Sequence, residues 1–256
     1  MSMEDKIVLV TGANRGIGKA LADEALARGA KRVYAGTRRP LTHPDPRLVP
    51  LTVDVTDPAQ VQAAASEVGS LDILINNAGV MLPDTPFDPA VLERHLAVNL
   101  YGAYAMTQAL LPALISSRGA SREPLVLRRA RPVADVHFVL GLESCSVLFD
   151  QDSSRRSRCA GRPVSRVLAG PIDTDMTRDL NIPKTSPEAV AKAIFDAVER
   201  EVEDIFPDPA LRPCRKLGPL DPTRSSSASS RSSCLRPRPR HSTSHLKRRT
   251  RRQPKE

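Results

Sequence analysis

The chain has 256 residues, 40% of them hydrophobic, which is enough for one domain whose core needs no disulfide or metal support. Its net charge of +9 is uneven, because residues 211–256 carry 14 of the 38 Lys and Arg but only 2 of the 29 Asp and Glu. The rest of the chain is slightly acidic, which excludes an overall basic, nucleic-acid-like character for the folded part. No apolar run approaches the ~20 residues of a membrane-spanning helix.

In chain order, KIVLV (6–10) reads as a buried strand, and Ile17, Leu21, Ala22, Ala25 and Leu26 then recur at helical spacing until Gly29 stops the helix. RVYAGT (32–37), LVPLTVDV (48–55) and LDILIN (71–76) read as further strands. Between the last two, a helix over 57–68 has Asp57 as its N-cap and Pro58 as its first residue. A long helix over 89–116 places Leu92, Leu96, Leu100, Tyr104 and Leu111 on a common side. Strands alternating with helices predict an α/β fold, a Rossmann-like doubly wound parallel sheet in a single domain over residues 1–206.

The first turn, TGANRGIG (11–18), follows a strand and opens a helix. Gly12, Gly16 and Gly18 allow a tight reversal, close approach of backbone to a phosphate, and close helix-to-strand packing. The N–H groups of that turn, with Asn14, Arg15 and Ile17, would face a diphosphate at the positive end of the helix dipole. The second strand ends GTRR, with Arg38 and Arg39 where a carboxylate would hold a free ribose 2′-hydroxyl. Planar guanidinium groups suit a 2′-phosphate, so NADP is favoured over NAD, with Arg15 beside the same pocket.

The chain resembles the short-chain dehydrogenase/reductase (SDR) family. TGxxxGIG is matched at Thr11 to Gly18, the Asp-Val pair at Asp54 and Val55, NNAG at 76–79, and the helix Asn at Asn99 in HLAVNLYG. The resemblance implies that Asp54 and Val55 border the adenine, and that Asn77, Ala78 and Gly79 support cofactor and sheet. It implies that Asn99 orders a proton-relay water; a polar residue satisfied by backbone in a helix bend is the plain alternative, and the two are compatible. AGPIDTDM (169–176) resembles the loop that closes on the nicotinamide, where Ile172 and Thr174 would contact the carboxamide. The helix that follows over 185–204 is capped by Thr185 or Ser186.

The family pattern also requires a fifth strand carrying a catalytic Ser, then a helix bearing Tyr and, four residues on, Lys. Residues four apart share a helix face, so the ammonium lowers the phenol's pKa while the phenol exchanges a proton with substrate. The tyrosines stand at 34, 101 and 104, and none has Lys four residues later. The pattern is lost over 121–167, where ESCSVLFDQDSS (143–154) occupies the place of the catalytic helix. Out-of-frame translation explains this better than divergence, which would preserve apolar periodicity. One permitted codon set for CSVLFDQDSS is TGC AGC GTA CTC TTC GAC CAA GAC AGC AGC; read one base later, that set gives Ala-Ala-Tyr-Ser-Ser-Thr-Lys-Thr-Ala.

Residues 207–256 read as a disordered Arg/Ser/Pro-rich tail. Its basic run HLKRRTRRQ is a solvated tail on the plain reading and a nucleic-acid patch on the alternative one. Four Cys without metal-ligand spacing, and no leader segment, fit free thiols in a cytoplasmic protein. The expected activity is hydride transfer between NADP(H) and a small-molecule carbonyl or secondary alcohol, impaired by the missing pair. The alternative is a catalytically inactive NADP-binding protein. The family's members are commonly homo-oligomers; no metal site and no membrane partner are expected.

Overall fold

The computed structural model describes residues 2–82, 88–117, 125–130, 164–202 and 204–208. The chain separates into two units, Met1–Lys216 and Leu217–Glu256, and every described residue belongs to the first. Strands β1 (Ile7–Thr11), β2 (Arg32–Thr37), β3 (Leu48–Thr52), β4 (Ile73–Asn76), β5 (Leu125–Ala130), β6 (Val164–Leu168) and β7 (Asp204–Ile205) form one sheet of order β3-β2-β1-β4-β5-β6-β7. Every neighbouring pair is parallel. The order reverses between β1 and β4, so the connections leaving these two strands diverge and open a crevice outside the sheet's carboxyl edge.

Parallel strands need crossovers, and the helices supply them on both faces. They are α1 (Gly16–Ala27), α2 (Pro58–Glu67), α3 (Pro89–Leu96), α4 (Ala103–Ser116) and α5 (Pro187–Glu199). The strands' period of two divides the core. Val8 and Val10 of β1, Val33 and Ala35 of β2, and Ile73 and Ile75 of β4 join α1 and α5 on one face. Leu9, Tyr34 and Leu74, which are paired in register, join α2 and α4 on the other. Side chains as fully buried as Leu9, Leu74 and Phe195 each contribute about 1.5–3 kcal/mol.

The fork of Arg28, at the end of α1, joins the two helices of the first face. Its Nε bonds Glu24 at 2.7 Å, and its terminal nitrogens bond Asp196 at 2.6 Å and Glu199 at 3.0 Å on α5. The guanidinium also lies 5.8 Å from the centre of the Phe195 ring. Burial works against the charge of Arg28, but the hydrogen bonds to Asp196 and Glu24 and the nearby Glu199 outweigh it and raise its pKa.

The helix anticipated over 89–116 is interrupted. A turn of π-helix over Ala97–Gly102 joins α3 to α4 and shifts the phase of everything after it. Tyr104 and Leu111 therefore lie exposed, and Met106, Leu110, Ala113 and Leu114 form the buried face of α4 instead. Gly102 permits this packing, because a methyl group there would sit 2.6 Å from Val55 Cγ2.

Two further differences concern the chain after 120. Within 121–167, where the family pattern is lost, β5 and β6 are nevertheless in register with the sheet. Their sequences, LVLRRA and VSRVL, keep the short apolar runs that parallel strands need, though β5 contains no Ser. Pro207 and Asp208, placed in the tail by composition, are buried, and Asp208 packs against Gly170, so the folded part extends past 206. Residues 131–163, with the stretch 143–154 and its reading-frame interpretation, lie outside the described residues, as does the tail from 209 onward.

Candidate functional site

The crevice at the carboxyl edge is a cleft of about 660 Å³, within the range of small-molecule sites. Its floor is the turn from β1 into α1. Gly12 and Gly16 have φ of 69° and 53°, a region that L side chains rarely adopt. At Gly18 the constraint is space: a Cβ there would lie 2.1 Å from the Gly12 carbonyl oxygen.

The turn is held to its neighbours by main-chain bonds and two side chains. The Gly12 N–H donates to the Gly36 carbonyl at 2.8 Å. The Thr11 hydroxyl oxygen accepts the N–H groups of Asn77 and Ala78, both at 3.0 Å, and the Asn77 amide donates to the Thr11 carbonyl at 2.9 Å. Asn77 thus fixes the turn against the end of β4.

The start of α1 differs from those of α2, α3 and α5, whereas α4 simply continues out of the π-turn. Asp57 caps α2, Asp88 caps α3 and Ser186 caps α5, each accepting backbone N–H groups. α1 begins at Arg15 with no side-chain cap and no acidic residue in its first turn. Its free N–H groups and dipole face the cleft, the arrangement that receives an anion.

Gly12, Asn14, Arg15, Gly16, Ile17, Gly18, Arg38, Asp54, Val55, Asn77, Ala78, Gly79 and Thr174 all line the cleft. Ile172 does not: it is 1% exposed and belongs to the core beside α5, and its backbone bridges Thr185. Asn99 does not line the cleft either. Its amide makes both hydrogen bonds to the main chain of Val80, accepting from the N–H at 2.8 Å and donating to the carbonyl at 2.9 Å. The backbone-satisfied reading of Asn99 is therefore what the geometry contains, within the π-turn.

Arg38 and Arg39 stand exposed at the end of β2. Arg15 turns elsewhere: its guanidinium donates to Asp175 at 2.8 Å, across the cleft mouth. Asp175 also receives Arg178. The bond from Arg15, then the charge of Arg178, hold the Asp175 carboxyl below the usual carboxylate range. On the same segment, the Thr177 hydroxyl donates to the Ile172 carbonyl, and Thr174 rests 3.2 Å from where a side chain on Gly16 would begin. The loop after β6 is thereby drawn onto the glycine turn.

Thr37, Val53, Val80, Val98, Asp175 and Met176 also line the cleft and were not anticipated. For Val53 and Met176 the only signal is adjacency to motif residues, and for Val80 and Val98 it is the pairing through Asn99. None of the three tyrosines lines the cleft. Among the described residues no cluster of metal-binding side chains exists, and no helix is long and apolar enough to cross a membrane.

Comparison with known proteins agrees with this architecture. Residues 6–121 match the family model for short chain dehydrogenase. The short chain dehydrogenase tazN of Aspergillus terreus is 34% identical over 137 residues, 46% of this chain and 29% of that protein. The chain thus spans less than a third of that relative's length. The 3-oxoacyl-(acyl-carrier-protein) reductase FabG of Salmonella typhimurium is 29% identical over 194 residues, covering 71% of this chain and 79% of that protein. A short chain dehydrogenase from Burkholderia cenocepacia, solved in complex with NADP, superposes with a TM-score of 0.75 at 30% identity, over 84% of this chain and 93% of its own. By these matches the chain belongs to the short-chain dehydrogenase family.

Proposed function

We propose that the chain binds a nicotinamide dinucleotide in this cleft, with NADP(H) preferred, and that its family reaction is hydride transfer to or from a carbonyl or secondary alcohol. The observation that carries this reading is the uncapped start of α1 over a glycine floor, with Arg38 at the end of β2. The diphosphate lies on the free N–H groups of the turn, and a 2′-phosphate lies at Arg38. Asp54 and Val55 border the adenine, and Thr174 with its loop covers the nicotinamide half. The NADP complex of the Burkholderia relative supports the same assignment.

The nicotinamide supplies the hydride; the chain must supply the proton. A second reading, nucleotide binding without turnover, is favoured by one observation: no tyrosine lines the cleft and none has Lys four residues on. On this reading Asn99 serves to hold Val80. Small-molecule exchange in a cytoplasmic setting fits either reading.

Titration of the purified chain with NADPH and NADH, followed by a turnover assay on a test carbonyl, tests both. Saturable NADPH binding at least tenfold tighter than NADH is expected, with little or no turnover. Arg38→Ala should weaken NADPH roughly tenfold and leave NADH nearly unchanged, one charge-assisted phosphate contact being removed. No saturable complex with either nucleotide would overturn the assignment, and ordinary turnover would overturn the inactive reading.

A further inference from the structure

Val80 lines the cleft, yet nothing in the sheet ladder holds it, because β4 ends at Asn76. The segment leaving β4 is instead held from the helix opposite. Asn99 makes both main-chain bonds to Val80. Four residues earlier, and so on the same side of the helix, His95 takes the next N–H that points the same way: Leu82 donates to its Nε2 at 3.1 Å. The other ring nitrogen, Nδ1, lies 2.9 Å from the Val91 carbonyl oxygen. A carbonyl only accepts, so Nδ1 carries the hydrogen, and Nε2 is left with the lone pair that Leu82 requires. His95 is 4% exposed and is the only buried residue of α3. The two side chains, spaced i and i+4, thus serve residues 80 and 82 as a neighbouring strand's main chain would.

We propose that His95, as the neutral imidazole with its hydrogen on Nδ1, is a positioning residue that acts with Asn99 to hold Val80–Leu82 as the wall of the cleft on the β4 side. This inference rests on the nucleotide reading of the cleft. Val80 follows β4, whereas Arg38 follows β2, two strands away across β1 in the sheet. His95 therefore bears on the nicotinamide half of a bound dinucleotide and not on its adenosine half. Leaving the Leu82 N–H without its acceptor loosens the wall; restoring a side chain that both accepts and donates restores it.

The test uses the full chain and two probes, NADPH and adenosine 2′,5′-bisphosphate, which carries the adenosine half alone. His95→Phe fills the space without accepting or donating; it should raise the Kd for NADPH about tenfold, the worth of one buried hydrogen bond, and leave adenosine 2′,5′-bisphosphate unchanged. His95→Gln, which can accept and donate, should recover most of the loss. In wild type, nitrogen-15 spectra should place the ring hydrogen on Nδ1, with the Leu82 amide resonance moving in His95→Phe. Unchanged NADPH binding in a folded His95→Phe, equal weakening of both probes, or a ring hydrogen on Nε2 would each overturn the proposal. Wild type that fails to bind NADPH at all overturns it through the nucleotide reading, a failure visible before any variant is made.

Discussion

The two ends of the cleft are built by different means. The floor is shaped chiefly by backbone: positive φ at Gly12 and Gly16, a Gly18 with no room for a methyl group, and the main-chain bond from Gly12 to Gly36, with the Thr11 and Asn77 side chains tying it to the end of β4. The wall beyond β4 is fixed by side chains that reach across the sequence, Asn99 to Val80 and His95 to Leu82, as the loop after β6 is by Arg15 to Asp175. A backbone floor tolerates almost no substitution, because the shape itself is the function. A wall of side-chain bonds loosens by degrees, one bond at a time.

The contrast can be tested from its strongest point downward. Gly18→Ala forces a methyl group to 2.1 Å from the Gly12 oxygen and 2.5 Å from the Asn77 amide nitrogen. It should abolish saturable NADPH binding and destabilise the chain by about 1–3 kcal/mol, read by titration and denaturant unfolding. A variant that still binds would show that the floor can yield.

Asn99→Ala removes both bonds to Val80 and should cost about 1–3 kcal/mol in unfolding, with NADPH binding weakened but still measurable. Complete loss of binding would make the wall as intolerant as the floor.

The smallest effect belongs to Asp175, whose bonds are exposed. Because Arg15 and then Arg178 lower its folded-state pKa, the tie between loop and turn is fully present above the ordinary carboxylate pKa of about 4. It is lost only as pH falls through the lowered value. Asp175→Asn should therefore change stability slightly at pH 7, and the difference from wild type should vanish in strong acid. A difference that grew on acidification would contradict the assigned sign.

The same contrast explains what could be read in advance. Glycines, caps and the strand-turn-helix order are local, so Gly12 to Gly18, the Asp57 cap and the four strands up to β4 were legible in the residues themselves. Asn77 and Thr174 were legible through the family's motifs. The π-turn was not, because an inserted residue changes phase without any distinctive residue marking it, and Tyr104 and Leu111 were grouped on a side that the turn rotates outward. The Arg15–Asp175 bond joins residues 160 positions apart, and the pull of an aspartate from the far end of the sheet has no local signature. Ile172 is expected at the carboxamide by analogy, and its side chain is buried in the core beside α5.

The Arg28 fork, bridging α1 and α5, also bears on how the chain is made. Glu24 and Arg28 leave the ribosome more than 160 residues before Asp196 and Glu199. Until then the apolar stripe of the first helix, Ile17, Leu21 and Ala25, has the sheet beneath it but lacks the α5 side of its core. A nascent chain stalled short of α5 should therefore be sticky and protease-sensitive, and a client for chaperones that shield an early amphipathic segment from its neighbours.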